Sequence, residues 1–191
     1  MNQSLHCSRK AIFLPVLFVF FLSGCGTTAA IQYKVDSPKQ VSKRVSVYVK
    51  EFEDLRPQSE RGVIGKIQNA WGADNGNVNE PPTLMQDLKT AMEQELVNAG
   101  YSMGSDQNGV VVTCSLMSAK CNFPPSYIPE AQLRIHVIVL DHNQEVINHI
   151  YKGEGTFRPL LVGLGTNEAL TIAAKKTITA FIEDLDRYIK T

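Results

Sequence analysis

Cys25 is the side chain whose surroundings most clearly specify a chemical modification. Arg9-Lys10 precede a largely apolar run over residues 11–22, and the small pair Ser23-Gly24 leads into Cys25. A charged start, a short apolar run and small residues before a cleavage point are the three parts of an export signal. The run is too short for a spanning helix, which needs about 20 apolar residues. We therefore expect residues 1–24 to be a signal peptide that is cleaved between Gly24 and Cys25.

The four residues Leu22-Ser23-Gly24-Cys25 resemble the lipobox of bacterial lipoproteins. The resemblance implies a diacylglycerol on the Cys25 sulfur and a third acyl chain on its freed amine. Buried methylenes contribute about 0.8 kcal/mol each, so two or three chains hold a protein on a membrane essentially permanently. Gly26 stands where Asp would retain such a protein at the inner membrane, which favours the periplasmic side of the outer membrane. The alternative is an ordinary secretory signal with a coincidental cysteine.

Composition is typical of a folded secreted domain, with 43% hydrophobic and 20% charged residues. Basic and acidic residues number 19 each, and cleavage removes two basic residues and no acidic one. The mature chain is therefore slightly acidic, and it has no cluster of Lys and Arg. Binding to nucleic acid would need such a basic stripe, so we do not expect a nucleic-acid partner.

The segment after the signal is small and polar, which predicts a tether over residues 25–43 and a single domain over residues 44–191. Ile31, Tyr33 and Val35 alternate, however, so this stretch could instead form an edge strand. The first strand of the domain is expected near residues 45–52, where valines alternate with polar side chains.

Hydrophobic periodicity predicts the remaining elements. A T-x-x-Q capping box at Thr83 and an apolar stripe predict a helix over 83–99, closed by Gly100 as a left-handed C-cap. Strands are expected at 110–116, 131–141 and 145–157, the last two joined by a turn at His142-Asn143, followed by a helix over about 167–190. The order β-loop-α-β-β-β-α predicts a two-layer α+β fold, with a mainly antiparallel sheet and two amphipathic helices packed on one face.

Residues 54–82 form a long irregular connection that is a candidate for binding a partner. We expect a short strand at 63–67 and a mobile tip near 74–79. Trp71 is either an exposed anchor for a partner or a partly buried packing residue. Arg56 either contacts a ligand or pairs with Asp54 or Glu53 to hold the base of the loop, and the second interpretation is favoured.

Cys114 and Cys121 are the two cysteines that would remain for a disulfide in an oxidising compartment. On one straight strand, seven steps of about 3.3 Å would separate them by roughly 23 Å and place them on opposite faces. A bend between them would restore the bridge. The alternative is two thiols packed as small apolar residues.

His136 and His149 are a candidate metal pair. If Asp141 and Gln144 close a two-residue turn, the two histidines lie directly opposite each other with Cβ atoms about 5 Å apart. They could then bind a transition metal with a third ligand, or act as a pH-sensitive element. An exposed polar pair without a special role is favoured, and one extra residue near the turn would separate them.

Four segments are similar to those of the YajG-type envelope lipoproteins. They are Phe52-Glu53-Asp54-Leu55-Arg56-Pro57, Gly65, residues 95–101 ending in Gly-Tyr, and YKGEGTF at 151–157. The resemblance implies an envelope location and the strand-loop-helix shape, and it supplies no catalytic residue. The opening also looks like that of periplasmic lipoproteins that assist transporters or activate cell-wall synthases.

The sequence contains no H-E-x-x-H or C-x-x-C motif, and we expect neither a catalytic residue nor a cofactor. The predicted function is a non-enzymatic interaction module, held on the membrane by its lipid. It would bind an envelope protein or cell-wall partner through the 54–82 loop or an exposed sheet edge. The alternative is a small-ligand or lipid carrier that assists an envelope transport system.

Overall fold

The computed structural model describes residues 26–33, 45–104, 109–159 and 165–190. Within these ranges the chain forms two sheets, two α-helices and a short 3-10 turn at Gln58–Glu60. The strands are β1 (Thr27–Thr28), β2 (Ser46–Val49), β3 (Glu53–Asp54), β4 (Val63–Gln68), β5 (Asp74–Asn79), β6 (Ser102–Met103), β7 (Val110–Asn122), β8 (Glu130–Asp141) and β9 (Gln144–Thr156), and the helices are α1 (Leu84–Asn98) and α2 (Thr166–Lys190). Cys25 and Gly24 lie outside the described residues.

The main sheet has the order β6-β2-β7-β8-β9, with β3 also paired to β7. The three long strands β7, β8 and β9 are antiparallel, whereas β2, β3 and β6 join by parallel pairing. The parallel pair β2 and β7 is connected through α1, as parallel neighbours require a long crossover. The second sheet is small, with β1 parallel to β5 and β5 antiparallel to β4.

Both helices cover one face of the main sheet, and this confirms the predicted two-layer α+β architecture. On β8 the inward side chains alternate with exposed ones, as the hydrophobic pattern predicted. Buried aliphatic and aromatic side chains of β8 and α2 fill the space between the layers, among them Ala131, Leu133, Ile135, Val137, Val139, Leu170, Ile178, Phe181 and Leu185.

The first helix begins and ends where its sequence signals predicted. Its buried side chains include Leu88 and Leu96, and Gly100 closes it with φ +92°. The Tyr101 amide donates to the Leu96 carbonyl and the Gly100 amide to that of Val97, the two hydrogen bonds of a Schellman motif. The capping box is not formed, because the Thr83 hydroxyl instead contacts Asp87 at 3.0 Å.

The predicted tether is part of the fold over residues 26–33, which corrects the boundary expected at residue 44. Thr27 and Thr28 pair with β5, and Ala29 is fully buried. The Ala30 amide then donates to the side chain of Asn167 at 2.8 Å, which holds this segment against the start of α2. The edge-strand alternative is thus nearer to the structure, although the strand is β1 and lies before Ile31.

The last strand approaches α2 more closely than a side chain would allow. A Cβ built on Gly155 would lie 2.0 Å from the Ala169 carbonyl oxygen, and one on Gly153 would lie 2.1 Å from that of Ala173. Both glycines come from the YKGEGTF segment on which the family resemblance partly rests. Their role here is to let helix backbone pack directly on strand backbone.

Candidate interaction surfaces

Arg56 lies at the base of the 54–82 segment and is fully enclosed by polar partners. Its Nε and Nη2 donate to the two carboxylate oxygens of Asp54 at 2.9 and 2.8 Å, and Nη1 lies 2.7 Å from Glu80 Oε2. The residue is 1% exposed. The hydrogen bonds from Arg56 hold the pKa of the Asp54 carboxyl below its usual value. Because Asp54 is the first residue of the segment and Glu80 lies near its end, the three side chains close its base.

This geometry decides between the two interpretations of Arg56. The pairing with Asp54 is confirmed, whereas Glu53 is not the partner and a direct ligand contact is wrong, since the guanidinium is buried. Sequence reasoning missed Glu80. It lies 24 positions from Arg56, and only the hairpin between them brings the two side chains together.

Residues 63–79 form a β-hairpin that joins the main sheet by backbone pairing at the end of β7. The predicted strand at 63–67 is present as β4, but the expected mobile tip at 74–79 is wrong because those residues form β5. The hairpin is held at Phe123, which exchanges backbone hydrogen bonds of 2.8 Å with Lys66 and Gln68. Gly65 permits this approach, since a Cβ there would lie 1.8 Å from the Cys121 carbonyl oxygen.

The hairpin tip, residues 69–73, is a compact hydrogen-bonded turn. The side-chain oxygen of Asn69 accepts from the amides of Trp71 and Ala73, each at 3.0 Å, and the Gly72 amide donates to the Asn69 carbonyl. Gly72 adopts φ +82°, a conformation that L side chains rarely take. The turn therefore has a fixed shape that its own side chain and backbone define.

Trp71 is 90% exposed at this tip, so the favoured interpretation of a partly buried packing residue is wrong. The largest apolar side chain of the chain is held out from a rigid turn, where it contributes nothing to the core. Exposed aromatics on ordered turns are typical of binding anchors. Of the two residues proposed for the partner-binding loop, Trp71 is accessible and Arg56 is not.

A second candidate surface is the outer face of the main sheet, which carries a row of cations that sequence reasoning also missed. Arg134 lies directly opposite Lys152 in the register of β8 and β9. With Lys120 of β7 they line a groove of about 430 Å³, together with Ser118, Gln132 and Ile150. Two like charges directly opposite each other on neighbouring strands destabilise a sheet. Lys152 pairs with Glu154 at 2.5 Å, and Arg134 has no partner among the described residues. The alternation of exposed positions on each strand was the signal that could have found this face.

Cys114 and Cys121 are free, buried thiols, so the disulfide that the sequence left open is not formed. They lie on the single strand β7, yet both face the core, which corrects the expectation of opposite faces. A β-bulge between Leu116 and Ser118 adds one residue and reverses the alternation between them. Burial raises the pKa of both thiols, that of Cys121 to about 12, and so suppresses their thiolate forms.

The prediction that His136 lies directly opposite His149 is wrong, because a β-bulge shifts the register between the two strands. The turn closes as predicted, with Asp141 opposite Gln144 and positive φ at His142 and Asn143. One extra residue between Glu145 and Ile147 then shifts the register, so His149 faces Val137 and His136 faces Ile150. Adjacent positions on β8 point to opposite faces, and the two imidazoles are therefore separated by the sheet. His136 instead contacts the side chain of Asn148 at 2.7 Å.

Two further properties concern the described ranges as a whole. No group of three or more His, Cys, Asp or Glu side chains in them is placed to hold a metal ion. Neither described helix combines the length and the apolar character needed to cross a membrane.

Comparison with solved structures places the fold among bacterial proteins. A Xanthomonas campestris protein of family DUF330 is similar with a TM-score of 0.59 at 10% identity, over 86% of this chain and 100% of that one. A hypothetical protein from Chlamydia trachomatis is similar with a TM-score of 0.50 at 8% identity, over 77% and 98% of the two chains. A lipoprotein from Neisseria meningitidis reaches 0.41 at 7% identity, over 75% and 99%, too low to establish a shared fold.

No family model matches the sequence, and no curated protein matches it either. At identities near 10%, the structural likeness establishes a common fold and carries no activity with it.

Proposed function

We propose that the chain is a lipid-anchored envelope lipoprotein of the YajG type, on the periplasmic side of the outer membrane. There it acts as a non-enzymatic interaction module. The observation that carries this proposal is the position of the fold relative to Cys25. Residues 27 and 28 form β1 and Ala29 is fully buried, so the first described strand follows Cys25 by only two residues. The mature protein would thus begin at the edge of the domain, with its acyl chains attached beside β1.

Replacing Cys25 by serine should abolish incorporation of an alkyne-tagged fatty acid, because the diacylglyceryl group is attached to the sulfur through a thioether. The variant should also keep residues 1–24, since cleavage in this class of signal follows acylation. Gel fluorescence and intact mass measure the two effects. Cys7→Ser is the matched control, as it removes a thiol from the same leader and should leave labelling and cleavage unchanged. Equal labelling of the wild type and Cys25→Ser would refute the lipid anchor.

The protein-binding surface that the geometry supports best is the outer sheet face with its edge strand β9. Among the described residues β9 pairs only with β8, which leaves one side of a 13-residue strand open. Such edges accept an added strand from a partner. The neighbouring cations Arg134, Lys152 and Lys120 favour a partner with acidic groups.

A photo-crosslinking residue at Ile150, which is 39% exposed beside these cations, should form adducts with a distinct partner in intact cells. Charge reversal by Arg134→Glu and Lys152→Glu should reduce those adducts strongly. The matched control is the same crosslinker at Val97, which is similarly exposed on α1. Adducts of equal yield at both positions, or adducts insensitive to charge reversal, would contradict this surface.

A small-ligand or lipid carrier remains the alternative class. It would need a hollow interior between the layers, yet Leu170, Ile178 and Phe181 fill that space at 0% exposure. The interaction module is therefore the better-supported proposal.

A further inference from the structure

The molecule has two different ends along the long strands of its main sheet. At one end Val110 pairs with Asp141 beside the β8–β9 turn, and Met103 lies in the same row through Val47. At the other end β7 reaches Asn122, and Phe123 pairs with Ile67 just before the hairpin tip. The ends are about 40 Å apart, because 13 residues of strand rise about 3.3 Å each.

The chain direction brings Gly26, the residue that follows Cys25 in the sequence, to the hairpin end. Since β1 runs parallel to β5 with Thr27 opposite Val78, moving back along the chain from Thr27 approaches the tip. Gly26 lies beside Asn77, whose carbonyl oxygen would be 3.5 Å from a Cβ built on the glycine. Asn77 is three residues from Asp74, or about 10 Å along the strand. Consecutive Cα atoms are about 3.8 Å apart, so the acyl chains proposed for the residue before Gly26 would be attached near the tip.

The surface at this end, which we call the tip face, comprises residues 69–73, residues 123–129 and Gly26. These segments contain no Lys, Arg, Asp or Glu. They carry Trp71 and Tyr127, which at 90% and 37% are the exposed Trp, Tyr or Phe side chains among the described residues. The two segments touch, since a Cβ at Gly72 would lie 3.9 Å from Pro125 Cγ. Tryptophan and tyrosine are the residues enriched where proteins meet lipid head groups.

We propose that the tip face rests on the lipid bilayer, with Trp71 inserted at the membrane interface as a second, non-covalent anchor beside acylated Cys25. This inference depends on the proposed lipid anchor, which brings the tip face to the bilayer. Hydrogen bonds from the Trp71 and Ala73 amides to the Asn69 side chain already define the backbone of the turn, so little backbone conformational entropy is lost on insertion. The segments of the tip face carry no charged side chain, and the neighbouring Asp74 pairs with Lys66 at 3.8 Å. This favours membrane contact, because burying an unpaired charge costs free energy. A partner protein would then contact the outer sheet face, which remains accessible.

Trp71 is the single tryptophan of the chain, so its fluorescence reports on this contact directly. The processed, acylated protein is reconstituted on vesicles of phosphatidylethanolamine and phosphatidylglycerol with or without bromine on the acyl chains. We expect a blue-shifted emission that brominated lipid quenches strongly and aqueous iodide quenches weakly. The control is the double variant Trp71→Phe, Met103→Trp, which moves the reporter about 40 Å away. Its emission should be quenched by iodide and not by brominated lipid.

Three results would overturn the inference. Trp71 emission that iodide quenches as readily as that of the control shows that the tip stays in water. Protection from iodide without quenching by brominated lipid shows that another protein copy covers the tip. Intact mass on the same preparation separates these failures from failure of the proposed function: a chain without fatty acid refutes both proposals, whereas an acylated chain with either fluorescence result refutes only the membrane contact.

Discussion

Substituting alanine for Gly155 should lower the free energy of unfolding by about 3 kcal/mol, the upper part of the range for overpacking. The added Cβ would stand 2.0 Å from the Ala169 carbonyl oxygen and 2.7 Å from the Ala173 amide nitrogen. Both are backbone atoms of α2, so neither can rotate away. The helix would have to move off the sheet, and the packing of its fully buried side chains such as Phe181 would loosen with it. Urea unfolding followed by circular dichroism measures the loss.

The matched control is Thr156→Ala, which alters an exposed side chain on the same strand and should change stability by at most about 0.5 kcal/mol. Gly153→Ala should resemble Gly155→Ala, since its Cβ would lie 2.1 Å from the Ala173 carbonyl oxygen. A stability within about 0.5 kcal/mol of wild type for either glycine variant would mean that strand and helix do not touch as described.

Arg56→Leu is expected to destabilise the fold by about 3–5 kcal/mol, the range measured when one partner of a buried ion pair is removed. The substitution removes the cation that Asp54 and Glu80 share, so that Asp54 keeps only Arg61 at 3.4 Å and Glu80 loses its partner among the described residues. The exposed arginine Arg158 offers a control, since Arg158→Leu should have a small effect. Adding Asp54→Asn and Glu80→Gln to Arg56→Leu should recover part of the loss, because the uncompensated charges are then removed. No recovery would show that packing, rather than charge, explains the loss.

Acid should remove part of the same stabilisation. The folded-state pKa of Asp54 is lowered from 3.8, mainly by the hydrogen bonds from Arg56. A lowered pKa contributes stability that is present above the unfolded value and is lost as pH falls through the folded value. The difference in unfolding free energy between wild type and Arg56→Leu should therefore be largest near neutral pH and shrink below pH 3.8.

The proposed membrane contact and the proposed protein-binding surface lie on different parts of the molecule. The tip face and the β8–β9 turn are at opposite ends of strands that span about 40 Å, while the cationic groove lies on the side of the sheet away from the helices. A molecule resting on its tip face therefore keeps the groove and the β9 edge free for a partner. Membrane contact and protein binding then use separate residues, so their variants can be compared independently.

Local pattern was enough to predict the main elements. The stripe of α1, the alternation along β8 and the turn at His142-Asn143 all follow from backbone periods of 3.6 and 2 residues, which act over a few neighbours. The contacts at the base of the 54–82 segment could be predicted in part as well, because Asp54 and Arg56 are close in sequence. Glu80 was not, since its contact depends on how the hairpin closes.

The amino-acid sequence alone thus predicted an export signal with a lipobox resemblance, and it determined the order of the main elements and the two-layer class, because each depends on residues near one another in the chain. Tertiary structure decided which faces and partners those residues meet. Bulges after Leu116 and Glu145 brought the cysteines to one face and separated the histidines, and a closely packed hairpin exposed Trp71. One extra residue in a strand changes little locally but turns every side chain beyond it to the other face, so only contacts between distant segments select the register.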